Sequence, residues 1–276
     1  MCGLAGALLS ERQRSLSDLR MISDLFTRLL FGSEHRGPYA TGVALINASG
    51  DYYVSKAPVP ASQFVTSRDY RLVIDKLASD TTCLMGHTRW PTRGSHLDNA
   101  NNQPLISGGE YQTHGIGLTR SVCILTHNGH VTNHHALSHL MSLKRQVEVD
   151  SEVILRLVEK SVGRSGIDPV SFAEDVSRCR GRLSAIAVVM SDPTKILLIK
   201  GNQPLEVRYH AAHGLIAYAS EPEILDTAIG HDTGWEAIEI PAWRLVVVDT
   251  RRMMPLTAYP IPRRSNDEDG RMPPCR

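Results

Sequence analysis

Charge of either sign is nearly balanced in this chain of 276 residues: 30 Lys and Arg against 29 Asp and Glu leave a formal net charge of +1. No strong field is left to recruit nucleic acid or an anionic membrane. No apolar run approaches the roughly 20 residues of a membrane-spanning helix. The first residues lack a basic stretch followed by an apolar core, so no secretion signal is expected. Paired cysteine motifs are missing too. The five cysteines, Cys2, Cys83, Cys123, Cys179 and Cys275, are odd in number and scattered, with no CxxC pair. That argues against a disulfide framework or a cysteine zinc site, and for a reducing compartment, the cytoplasm. What remains is ordinary globular composition, 42% apolar and 21% charged.

The periodicity divides the chain into helices grouped between sets of short strands. Residues 3–9 read as an apolar strand. Residues 16–31 place Leu16, Leu19, Ile22, Leu25, Phe26, Leu29 and Leu30 on one helical stripe. Residues 43–47 and 51–55 flank Ser49-Gly50 as a β-hairpin. Helices are expected at 68–78, 150–162 (with Asp150 or Ser151 as N-cap), 168–180 and 221–229. Short β-rich runs at 122–126, 183–190, 195–200, 215–219 and 245–249 complete the pattern. Hairpin-linked strands alternating with groups of helices predict an α+β fold with stacked antiparallel sheets. From residue 251 the apolar periodicity stops and proline and arginine accumulate. Residues 251–276 are read as an extended, mobile tail.

Three places carry potential chemistry. The first is Cys2. Removal of Met1 would leave one residue with both a thiol and a free α-amine. The amine, with a pKa of about 7.7–8.0, can take the thiol proton. An N-terminal nucleophile supplies its own base in this way. The plainer reading is a buried structural thiol in a strand. The second is the almost entirely polar stretch 95–104, longer than an idle loop in a compact chain. The third is His127-Asn128-Gly129-His130, where an apolar strand is expected to break at a tight Asn-Gly turn. The nearby histidines pair at i,i+4 as His130/His134 and His135/His139. No Glu stands where a hydrolytic zinc motif needs one, so no metal is expected.

Several segments, in order, resemble class II glutamine amidotransferase (glutaminase) domains, which are N-terminal nucleophile hydrolases. They are Cys2-Gly3, His35-Arg36-Gly37 with Gly42, Gly86-His87-Thr88-Arg89-Trp90-Pro91-Thr92, and Gln103-Pro104. Further on come His127-Asn128-Gly129, Asp150-Ser151-Glu152-Val153 and Ala219-Ser220-Glu221. The similarity spans residues 2–250. It is nearest to the glutaminase domains of glutamine phosphoribosylpyrophosphate amidotransferase and glucosamine-6-phosphate synthase. The fold it implies is a four-layer αββα sandwich.

The resemblance also implies roles. Cys2 attacks the side-chain amide of L-glutamine, and Asn128 and Gly129 stabilise the oxyanion. Arg89 pairs with the substrate α-carboxylate and Asp150 with its α-ammonium. Trp90 and Thr92 line the pocket, while Arg36, Gly37 and His87 support it. Taken alone, Arg89 reads as a surface charge, Asp150 as a helix cap and Trp90 as core. No cofactor is implied. Arg93 departs from the histidine of the sugar-phosphate synthases, whereas Gln103-Pro104 follows the phosphoribosyl enzyme. No phosphoribosyltransferase, sugar-isomerase or ATP-pyrophosphatase signature follows residue 250. The expectation is therefore a glutaminase passing ammonia to a separate acceptor synthase. The alternatives are a hydrolase of another γ-glutamyl or amide substrate, and a non-catalytic regulatory module that keeps the fold.

Overall fold

The structure, a computed structural model, describes residues 1–107, 114–117, 123–163 and 166–262. Cys275 and residues 263–276 lie outside the described residues. The chain begins with β1 (Gly3–Leu9), α1 (Leu16–Gly32), the hairpin β2 (Ala40–Asn47) and β3 (Tyr52–Ala57), α2 (Ala61–Phe64) and α3 (Arg68–Ile74). Next come β4 (Thr81–Arg89), β5 (Leu105–Ile106), β6 (His114–Gly117), β7 (Cys123–Val131), α4 (His134–Leu140) and α5 (Glu152–Lys160). A small hairpin, β8 (Val162–Gly163) and β9 (Gly166–Ile167), leads to α6 (Pro169–Val176), β10 (Gly181–Val189) and β11 (Lys195–Lys200). The last elements are β12 (Glu206–His210), β13 (Leu215–Ala219), α7 (Pro222–Ile229), β14 (Trp235–Ala237), β15 (Arg244–Asp249) and β16 (Thr257–Pro260).

The strands form two large antiparallel sheets. One runs β14-β12-β13-β1-β4-β2-β3-β6 and the other β16-β15-β11-β10-β7-β5. Alternation along the strands shows how they stack. On β1, Leu4 and Leu8 face a core shared with Ile124, Ile186 and Leu198 of the second sheet. Ala5, Ala7 and Leu9 face the opposite way, onto Ile22, Phe26 and Leu29 of α1 and Leu225 of α7. On β10, Leu183, Ala185 and Ala187 meet Ile154, Leu157 and Phe172 of α5 and α6. Three cores separate four layers, α, β, β and α, as expected. Both sheets are covered on both faces, which is why their inner strands read as continuous apolar runs.

The first helix starts where its cap chemistry places it. Ser15 accepts from the Asp18 N–H and the Asp18 carboxylate accepts from the Ser15 N–H, a capping box. Its buried stripe begins at Ile22; Leu16 points to solvent. Three other expectations differ. α5 has no side-chain cap at Ser151, and Asp150 turns its carboxylate elsewhere. The run 122–126 does not break at Asn128, because β7 continues to Val131. The region past residue 251 is not wholly an extended tail. Residues 257–260 pair with β15, and Ile261 is buried against the α5–α6 layer, so cross-strand pairing holds this part in the body. No helix among the described residues is long and apolar enough to cross a membrane.

Candidate active site

Cys2 sits at the start of β1, the strand nearest the middle of its sheet. The register Gly3↔Thr88 sets it beside the end of β4, where its thiol approaches the Trp90 carbonyl at 3.6 Å. Its own carbonyl accepts a 2.9 Å bond from Arg36 Nε. Arg36 is buried and its charge is met by Glu221, which also binds His35 Nε2 at 2.7 Å. Burial raises the Glu221 carboxyl, but His35 and Arg36 outweigh it and hold the group below the ordinary carboxylate value. Gly37 follows against the Thr88–Arg89 backbone. Burial pushes the Cys2 thiol above its ordinary value, against the lowering effects of the Trp90 contact, the Met1 α-amine and Arg89. Cys2 is thus held by its backbone, and burial favours its thiol form.

Glu221 was visible only as part of a motif, and its position suggests a test. Glu221→Gln leaves Arg36 buried without its anion, which should cost about 1–3 kcal/mol of stability. Loosening Cys2 should also slow its chemistry roughly 10–100-fold, as small misplacements do. Thermal melting and the rate of Cys2 alkylation measure the two effects.

The second sheet approaches Cys2 through β7, which packs on both β1 and β4. His87 Nε2 spans the sheets to the His127 carbonyl at 3.2 Å. Burial, reinforced by Arg89, pushes His87 down to about 3. It is therefore neutral near pH 7 and carries its proton on Nε2. His127 receives a further bond on its carbonyl from Gln103 Nε2, and its N–H donates to Gln103 Oε1 at 2.5 Å. Its ring lies 2.8 Å from Ser151 Oγ through Nδ1. Burial lowers its pKa even though Asp150 opposes this.

This arrangement orients the next two residues. His127 sends its backbone groups away from β10, so Gly129, of the same parity on the strand, does too. The partner side agrees. Leu183, opposite Gly129, gives its N–H to Asn202 and its carbonyl to Gln203 rather than to β7. Gly129 has φ +147°, and an added Cβ would lie 2.0 Å from the Arg182 carbonyl. Only glycine fits there, so the Asn-Gly signal marks a strand distortion rather than a turn. Asn128 is fully buried, and neither Oδ1 nor Nδ2 has a hydrogen-bond partner among the described residues. An orphaned buried polar atom costs about 1–3 kcal/mol, and such atoms concentrate where function demands them.

Arg89 ends β4 and is buried, not a surface charge. Its terminal nitrogens are turned onto its own loop. Nη1 donates to Asn102 Oδ1 at 2.6 Å and to the Ser95 carbonyl at 3.3 Å. Nη2 donates to the Arg93 and Gly94 carbonyls at 2.6 and 2.8 Å. Arg89 therefore shapes the polar stretch first read as a loop of interest. Trp90 is not core: it is exposed and meets Tyr39 edge-on at 5.2 Å. Thr92 is exposed on the same loop. Asp150 is buried, accepts the Val131 N–H, and has His130 Nδ1 at 3.2 Å. Arg89 and Asp150 act electrostatically on each other and on the Cys2 thiol, so one locality unites all three.

Of the histidine pairs, His134 Nδ1 accepts from Arg145 Nη1 at 2.7 Å. Burial and Arg145 push it down to about 4. Among the described residues no group of His, Cys, Asp and Glu is arranged to hold a metal ion. One residue near the site had no sequence signal: Lys56, at the end of β3. It is completely buried, and its Nζ donates to the Asn102 carbonyl at 2.9 Å. Burial pushes its ammonium down to about 7, with Asp98 opposing and Arg89 reinforcing the shift.

No protein-family model matches the chain. Among curated proteins it is 26% identical over 230 residues to the isomerizing glutamine–fructose-6-phosphate aminotransferase of Pyrobaculum aerophilum. That match covers 82% of this chain and 34% of the relative. The corresponding protein of Symbiobacterium thermophilum is 28% identical over 212 residues, covering 75% of this chain and 30% of the relative. The chain spans about a third of the length of these relatives. Among solved structures it matches glutamine phosphoribosylpyrophosphate amidotransferase from B. subtilis, complexed with ADP and GMP, with a TM-score of 0.67 at 16% identity. A structure of the allosteric regulatory enzyme of purine biosynthesis gives 0.68 at 16%. Each covers 95% of this chain and 49% of the solved chain. The chain is thus similar to class II amidotransferase glutaminase domains and has their αββα fold, as its motifs implied.

Proposed function

We propose that this chain is a glutaminase that hydrolyses L-glutamine to glutamate and ammonia through a Cys2 thioester. The observation that carries the reading is Asn128, a fully buried amide without a partner among the described residues, on the strand packed against the one that Cys2 opens. A group kept unsatisfied at that cost is poised for charge that develops only during reaction.

In this mechanism Met1 is removed, and the freed α-amine takes the Cys2 thiol proton. Sγ attacks the side-chain amide carbon, and the carbonyl oxygen becomes an oxyanion held by Asn128 Nδ2 and the Gly129 N–H. The amine returns the proton to the leaving nitrogen, the C–N bond breaks and ammonia departs. Water then attacks the thioester, releasing glutamate and restoring the thiol. Asp150 receives the α-ammonium of the substrate. Arg89 supplies positive charge at the α-carboxylate end and exchanges a loop carbonyl for the carboxylate as glutamine enters. Opposite charges on the two sides of the head group select a free amino acid over a glutaminyl side chain. Ammonia passes to an acceptor synthase, in the same polypeptide or another.

The test joins intact mass to glutamate release from glutamine by purified protein. Loss of the Met1 mass together with glutamate formation supports the reading. Processed protein without turnover, alone and with candidate synthases, overturns it. The engaged terminal nitrogens of Arg89 favour one second reading, a different γ-glutamyl or amide substrate without a free carboxylate. Faster cleavage of such an amide than of glutamine in a substrate panel would establish it.

A further inference from the structure

We propose that Lys56 is a positioning residue for the glutamine site: its ammonium grips the Asn102 carbonyl and so fixes both the loop shaped by Arg89 and the strand carrying Asn128. The inference rests on the glutaminase reading for its substrate, though not for its mechanics.

The geometry is a relay. Lys56 Nζ donates to the Asn102 carbonyl at 2.9 Å. The side chain of the same Asn102 takes Arg89 Nη1 on Oδ1 at 2.6 Å and gives Nδ2 to the His96 carbonyl at 2.7 Å. The residue after it, Gln103, binds both backbone groups of His127, next to Asn128. One peptide thus joins the head-group arginine to the oxyanion strand, and the lysine holds that peptide. Asn99 closes the loop from the other side, donating Nδ2 to the Lys56 carbonyl at 2.9 Å. The neighbouring strand leaves room for this. At Gly42 an added Cβ would lie 2.1 Å from the Gln103 carbonyl and 2.9 Å from Lys56 Cγ.

Packing alone gives no reason for a lysine here. A fully buried ammonium loses its hydration, and Met or Leu would fill the same space at less cost. Burial accordingly pushes its pKa down, to about 7. The gain is a strong, charge-assisted bond to a loop that otherwise holds itself through side chains and turns. Lys56 touches neither the substrate nor Cys2 in this scheme and acts through Asn102 and Arg89.

The experiment uses the full chain and two readouts. The first is trypsin cleavage after Arg93, an exposed residue of the loop, followed by mass; it requires no enzymatic activity. The second is the split between KM and kcat for glutamine. Lys56→Met is expected to speed Arg93 cleavage and raise KM, each by about tenfold, as loss of one hydrogen bond to a charged group implies. The kcat value should stay within about threefold. Asn102→Ala, which keeps the lysine but cuts the link to Arg89, is expected to give the same two changes. If Lys56→Met does not fold, Lys56→Gln, which keeps a polar donor there without the charge, is read for the same two changes. In the double variant the effects should fall short of additivity, because both substitutions break one relay. Unchanged cleavage and KM in folded variants, or full additivity, would overturn the proposal. A wild-type protein that releases no glutamate would remove the glutaminase reading, while the cleavage arm would still decide the role of Lys56.

Discussion

Cys2→Ala is expected to reduce glutamine hydrolysis by roughly 10⁴-fold or more, because the proposed mechanism forms its covalent intermediate on Cys2 Sγ. Stability should barely change. Cys2 precedes β1, and among the described residues its side chain makes one long hydrogen bond, to the Trp90 carbonyl. Its structural role runs through the backbone carbonyl held by Arg36, which alanine preserves. Melting temperature and glutamate release, measured on the same preparation, separate the two effects. The other described cysteines provide a control. Cys83, Cys123 and Cys179 are buried, and burial pushes Cys123 and Cys179 up to about 12 and Cys83 higher still. Thiols so raised hold almost no thiolate at neutral pH. Iodoacetamide should therefore label Cys2 before Cys83, Cys123 and Cys179, and labelling of Cys2 should track loss of turnover. Undiminished hydrolysis by Cys2→Ala would refute the nucleophile assignment outright.

The layers of this molecule were legible because strand and helix periods announce them. β1 alternates its apolar residues between two cores, and α1 carries its own capping box, so both elements could be placed from local pattern. The Asn-Gly dipeptide was misread as a turn for a physical reason. Glycine at 129 answers the close approach of the Arg182 carbonyl across β10, a long-range contact that no local window contains. Asp150 was misread as a cap for a similar reason: its carboxylate reaches back to the Val131 N–H, in a strand 19 residues earlier. Resemblance supplied the names of the site residues, and the structure gathers Cys2, Arg89 and Asp150 into one locality. It also shows what resemblance alone did not, that Arg89 spends its terminal nitrogens on its own loop. Lys56 was invisible because a lysine at a strand end ordinarily lies in water. Here the 95–104 stretch lies against β3, with the Asn102 carbonyl on Lys56 Nζ.

Asn128→Ala is expected to lower kcat by about 10²–10³-fold, the usual cost of one oxyanion donor. The KM value for glutamine should change little, because the amide meets charge that exists only in the transition state. The companion measurement is stability, where the expected sign is unusual. Truncating a buried, hydrogen-bonded asparagine destabilises a protein, since a partner is left orphaned. Here no bond is lost, because both amide atoms are without partners among the described residues. The substitution removes an unpaired polar group and leaves a small cavity, two terms of opposite sign and similar size. The melting temperature should therefore hold or rise while turnover collapses. A structural asparagine would show the reverse, a falling melting temperature with activity lost only in proportion to unfolding. Urea denaturation and steady-state kinetics on one variant distinguish these outcomes. A stable variant with full turnover would exclude Asn128 from the oxyanion site. Restoring an oxyanion asparagine raises turnover and leaves stability unchanged or lower, whereas restoring a structural one raises both, so the opposed signs identify the role of Asn128.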